Sequence, residues 1–145
     1  MATRRQAREW AFQIVFQLDM NPAELDKVLE LFWVDKKVDV RTRKFTETLV
    51  RGVLEHTKEI DTKIVEYAKN WDLHRMGNVE RNVMRVAMQE IMYSDDVPPV
   101  VAINEAVDIV KYFGTTEAGK FVNGILDQAR KSIPKRTPPS KTAKA

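Results

Sequence analysis

Two clusters of side chains in this sequence have the types and spacing for chemistry with an anionic ligand. The first is Arg4, Arg5 and Arg8, in which Arg4 and Arg8 are four apart and share one face of a helix. Arginines at a helix start can hold phosphates through their planar donor forks, or they can form a solvated charged end. The second is Lys120-Phe121-Val122-Asn123-Gly124. On a helix Val122 points to a core, while Phe121 falls about 100° away, beside Lys120 and Gly124 on the outer side. Asn123 can read a base edge or cap a neighbouring segment. Gly124 costs a helix about 1 kcal/mol against Ala, which suggests close approach by a packed helix or by a ligand. Arginines and aromatics together suit phosphates and unpaired bases.

Other chemistries find no support. His56 and His74 lie on different expected elements without metal-ligand spacing. The five glycines are scattered, with no P-loop, no GxGxxG and no Gly-x-Ser-x-Gly elbow. The absence of cysteine removes disulfides, a thiol nucleophile and Cys-based zinc sites. Carboxylates are plentiful, but no pair is marked as a general acid and base. Catalysis and cofactors are therefore not expected, and a binding module is.

The elements that position these clusters read as helices throughout. The most informative runs from Val79 to Met92. Val79, Val83, Val86 and Ala87 form one apolar stripe, and Met84, Met88, Ile91 and Met92 a second beside it. Only a strip around Arg81, Arg85 and Gln89 is polar. A helix apolar over most of its circumference is the central helix of a small α-domain. Glu90 interrupts the first stripe, and a buried carboxylate requires a partner, either an arginine or the backbone.

Thr3 to Leu18 reads as the first helix, with Ala7, Ala11, Ile14, Val15 and Leu18 facing the core. Arg5, Phe12 and Phe16 fall on another side. The two aromatics are either a contact surface or covered by another helix. Asn21-Pro22 is expected to end this helix and to start the second as N-cap and N1. Val34 to Arg43 reads as an exposed loop. A third helix follows around Phe45 to Val53 and a fourth around Ile60 to Ala68, with a joint near His56-Thr57. Pro98-Pro99 opens the sixth, Gly114 caps it, and Thr116 begins the seventh.

With 145 residues the chain suits one domain. Residues 1–133 form the expected helical domain, whose last helix Pro134 ends, and 134–145 the expected disordered basic tail. Six of the 24 basic residues follow Asp127, where no acidic residue stands. The preceding chain keeps 18 basic against 21 acidic residues, a net charge of −3. Nucleic-acid binding would thus have to rest on local patches, not on bulk charge. No apolar run approaches the roughly 20 residues that cross a bilayer, and no signal-peptide core is present. A cytoplasmic location without membrane association is expected.

Several ordered motifs together resemble one family. They are Arg4-Arg5-Gln6-Ala7-Arg8-Glu9 with Gln13 and Phe16, then Trp71-Asp72-Leu73-His74-Arg75-Met76, and Val79-Glu80-Arg81-Asn82-Val83-Met84-Arg85. Val101-Ala102-Ile103-Asn104-Glu105-Ala106-Val107 and Lys120-Phe121-Val122-Asn123-Gly124-Ile125-Leu126-Asp127 follow. This set resembles the bacterial transcription antitermination factor NusB family from about Arg4 to Asp127.

The resemblance implies an all-α fold of about seven helices in two small subdomains, without catalysis. It implies binding of the boxA element of ribosomal RNA leader transcripts together with NusE, the small-subunit ribosomal protein, in an RNA polymerase antitermination complex. By motif, Arg4, Arg5, Arg8, Lys120, Phe121 and Asn123 would lie on the RNA side, and Phe16 and Glu80 on the NusE side. Family members often carry Tyr where Phe16 stands, so a hydroxyl hydrogen bond there would be lost. The alternative is a helical accessory module of the type fused to ribosomal RNA methyltransferases. This sequence ends after the helical part, with no Gly-rich cofactor loop. A homodimer burying the Phe12/Phe16 surface is also compatible with the sequence.

Overall fold

The computed structural model describes residues 3–69, 71, 73 and 76–133. The expectations for His74, Pro134 and the basic tail fall outside them. Seven α-helices account for most of the described chain: α1 (Arg4–Met20), α2 (Leu25–Trp33), α3 (Val40–Glu55), α4 (Thr57–Ala68), α5 (Asn78–Tyr93), α6 (Pro99–Phe113) and α7 (Thr116–Ser132).

Three of the helix starts carry a side-chain cap. Thr3, Asp39 and Thr115 each accept a hydrogen bond from a first-turn amide, those of Gln6, Thr42 and Ala118. Pro99 is the first residue of α6, where its missing N–H costs nothing. Two boundaries differ from the sequence reading. Asn21 closes α1 and does not open α2, which begins three residues after Pro22 with Glu24 as its cap. The expected loop from Val34 to Arg43 is shorter, because the Asp39 cap starts α3 at Val40.

α5 is the centre. It packs against α1, α3, α4, α6 and α7. Every residue from Asn82 to Ile91 is buried. On one side α1 pairs with α3, and α2 attaches through aromatic edges. The Trp10 ring meets Trp33 at 5.4 Å and Phe32 at 6.5 Å, both nearly perpendicular. On the other side α6 and α7 pack together and α4 lies against α7.

In the polar strip of α5, Arg85 and Gln89 are buried and Arg81 is half-buried, and each is hydrogen-bonded. Asp19 near the end of α1 accepts from Arg81 at 3.1 Å and from Asn82 at 3.1 Å. Arg85 reaches Asp61 of α4 with two bonds of 2.8 and 2.9 Å and pairs with Asp19 at 3.2 Å. Gln89 lies under Gly52 of α3, where an added Cβ would collide with its amide, and its Oε1 meets His56 Nδ1 at 3.1 Å. Among the described residues no buried side-chain polar atom lacks a partner.

Candidate nucleic-acid interface

The start of α1 is held against α6, not displayed freely. Arg4 is exposed; its guanidinium lies 4.4 Å from the Phe45 ring centre and 3.6 Å from Asp96. Arg5 donates from Nε to Glu105 and from Nη2 to Asp108 at 2.8 Å, and remains partly exposed. These surface pairs are weak, on the order of 0–1 kcal/mol. Arg5 also retains donors beyond the two in use. A phosphate can therefore compete for Arg4 and Arg5.

Arg8 is a correction. Its side chain is 4% exposed, and it donates to Glu90 from Nε at 2.8 Å and from Nη2 at 2.9 Å. A third bond reaches Glu105 at 3.2 Å. A guanidinium committed to a buried carboxylate cannot also meet a phosphate at the surface. Arg8 is the partner that Glu90 requires. Arg4, Arg5 and Arg8 face Glu90, Asp96, Glu105 and Asp108, so the arginine cluster is not a net positive patch.

α7 presents the second cluster on its outer face. Lys120, Asn123 and Gly124 are exposed, and Phe121 is half-buried. The Lys120 ammonium sits 3.9 Å from Glu117, with both side chains well in solvent. A Cβ added at Gly124 would meet nothing within 4 Å. Of the two approaches this glycine suggests, by a packed helix or by a ligand, no helix makes the first, and the backbone is open to solvent. The Phe121 ring meets Trp71 edge-on at 5.8 Å. Trp71 stands at the connection from α4 and carried no assigned role in the sequence reading. It lies within the connection over residues 70–78, where the sequence pattern gives no sign of the pairing.

The two residues expected on the protein-partner side lie at the same end of the fold. Phe12 is buried, covered by α6 through Phe113 at 5.1 Å, whereas Phe16 is half-buried and contacts Phe12 at 5.8 Å. Phe113 in turn meets Tyr112, which is 79% exposed, at 5.0 Å. Glu80 is half-buried in the first turn of α5, its carboxylate turned back over Gly77, and a Cβ at Gly114 would lie 3.8 Å from it. The negative charge at this helix start complements the helix dipole. Thus α1, the start of α5 and the end of α6 converge around Phe16, Phe113 and Glu80.

Among the described residues no group of His, Asp and Glu side chains is arranged to hold a metal ion. No helix among them is long and apolar enough to cross a membrane. The arrangement offers hydrogen-bond donors, charge and aromatic faces, which are means of binding.

The NusB family model matches residues 5–131. This chain belongs to the NusB family. The transcription antitermination protein NusB of Oceanobacillus iheyensis is 45% identical over 125 residues, covering 86% of this chain and 96% of that protein. The solved structure of NusB from T. maritima superposes with a TM-score of 0.84 at 34% identity, over 99% of both chains. A second structure, of the antitermination factors NusB and NusE in complex with double-stranded RNA, matches with a TM-score of 0.83 at 27% identity. That match covers 90% of this chain and 97% of the other. The all-α, seven-helix fold is thus the NusB fold, and the family works in transcription antitermination.

Proposed function

We propose that this chain is a transcription antitermination factor that binds boxA-type single-stranded RNA of ribosomal RNA leader transcripts together with NusE. The complex promotes read-through by RNA polymerase. The observation that carries the reading is family membership across residues 5–131, joined to the likeness to a NusB that is bound to NusE and RNA.

The RNA side consists of Arg4 and Arg5 on α1 and of Lys120, Phe121 and Asn123 on α7. Arg8 acts behind this surface: held by Glu90 and Glu105, it fixes the start of α1 against α5 and α6. NusE docks where Phe16 and Glu80 converge with the end of α6. Arginines, a lysine, an amide and aromatic rings suit an unpaired strand, and among the described residues no helix projects as a groove reader. RNA and NusE occupy separate faces of one rigid helical body and complete one composite surface.

The test is a titration of boxA-type RNA with this protein, with and without NusE, across salt. RNA binding that tightens with NusE and falls with salt supports the reading. Affinity that is independent of NusE and of RNA sequence contradicts it.

A further inference from the structure

Trp71 is placed by an unusual backbone and then left half in water. α4 ends at Ala68, and its cap Lys69 has φ 58° and ψ −108°. Among the described residues no other non-glycine residue has positive φ. Such conformations are unfavourable and persist where the surrounding structure holds them, often at binding sites. Here the turn carries Trp71 onto α7, with its N–H donating to Ala68 O at 3.4 Å and its ring against Phe121. The interplanar angle is 74°, so Phe121 supports the indole by its edge.

A structural tryptophan would be enclosed, as Trp33 is at 5% exposure; Trp71 is 50% exposed. Its neighbour Phe121 adjoins Gly124 on α7, with Lys120 about 100° and Asn123 about 160° around the helix from it. Lys120 offers a mobile charge, Asn123 a paired donor and acceptor, and Gly124 a bare stretch of backbone. An unpaired nucleotide needs these four things: a ring to stack on, a cation for its phosphate, an amide for its base edge, and room for its backbone.

We propose that Trp71 and Phe121 form a stacking platform for one unpaired RNA base. Lys120 meets the adjoining phosphate, Gly124 the sugar–phosphate backbone as it passes over α7, and Asn123, beyond Gly124, the edge of a further base. This inference rests on the RNA-binding reading above and adds Trp71 to it. An RNA occupant is favoured over a protein because the platform is bordered by a cation, Lys120, and by the open backbone at Gly124.

The full-length protein is titrated with a boxA-type RNA oligonucleotide, using Trp71→Ala, Trp71→Phe and Lys120→Ala, with urea unfolding to verify folding. Trp71→Ala should weaken binding about ten-fold, as loss of one stacked base does, without changing the salt slope. Trp71→Phe should recover most of the affinity. Lys120→Ala should instead reduce the magnitude of the salt slope by roughly 0.7. RNA should also quench a tryptophan emission component that is missing in Trp71→Phe. Wild-type affinity in a folded Trp71→Ala, with Lys120→Ala weakened, overturns the platform but leaves RNA binding standing. Loss of NusE binding alone in Trp71→Ala overturns it in favour of a protein contact. Absence of RNA binding by the wild type overturns the platform and the function together.

Discussion

Arg8 donates from two nitrogens to Glu90, across 82 positions of sequence, with both side chains buried. Removing one member of such a pair leaves an unmatched buried charge and destabilises by about 3–5 kcal/mol. Replacing both members by apolar residues of similar volume is often neutral. Arg8→Met should therefore lower the urea midpoint strongly, and Arg8→Met with Glu90→Leu should recover most of the loss. The recovered double variant should bind RNA nearly as the wild type does, because Arg8 acts through the position of α1. A folded double variant that has lost RNA binding would make Arg8 a direct contact.

Arg5 carries the opposite expectation. Its pairs with Glu105 and Asp108 are partly exposed, so Arg5→Ala should change stability by less than about 1 kcal/mol. It should weaken RNA binding and flatten the dependence on salt, each phosphate contact contributing roughly 0.7 to the slope for a single strand. An unchanged affinity would remove Arg5 from the RNA site.

Gly124 separates folding from binding. Open space surrounds the position of its missing Cβ, so Gly124→Ala should stabilise α7 by up to about 1 kcal/mol. The same methyl would stand between α7 and an RNA backbone. Thermal unfolding should therefore rise while RNA affinity falls. Unimpaired RNA binding in Gly124→Ala would show that no ligand approaches there.

Stability should also depend on acid through Asp19. Burial raises its carboxyl, but hydrogen bonds from Arg81, Asn82 and Arg85 outweigh this and hold it below the ordinary carboxylate range. A folded-state pKa lower than the unfolded value gives stability that is present above about pH 4 and lost as pH falls through the folded value. Asp19→Asn should be less stable at neutral pH and should lose less on acidification below about pH 4. Parallel pH profiles of the two proteins, measured by urea unfolding, would assign the acid sensitivity elsewhere.

The centre of this fold is legible in the sequence because it depends on local periodicity. The stripes of α5 predict its burial, and Glu90 within them predicts a partner. The identity of that partner is not legible, since Arg8 looks equally suited to a phosphate until α1 is laid against α5. Arg5 likewise acquires Glu105 and Asp108 only when α6 arrives from a hundred residues away. Phe12 and Phe16 are indistinguishable by pattern, yet Phe113 covers one and leaves the other half-open. Gly124 signals a close approach, but only the packing reveals that no helix makes it. The Asp39 cap stands in the sequence as Asp-Val-Arg-Thr, yet the charged, non-periodic run around it reads as a loop.

Phe16→Asp should separate the two partners. Phe16 is half-buried beside Phe12 at the convergence of α1, α5 and α6. The charge should weaken NusE binding by about ten-fold or more while RNA binding without NusE changes little. Equal losses for both ligands, with a lowered urea midpoint, would indicate core damage instead.

The most direct test of joint binding is the affinity of this protein for boxA-type RNA with and without saturating NusE, at physiological salt. Coupling must be reciprocal, so the factor by which NusE tightens RNA binding must equal the factor by which RNA tightens NusE binding. The predicted result is tightening of both by one shared factor. Undetectable RNA binding, or an RNA affinity that NusE leaves unchanged, would contradict it.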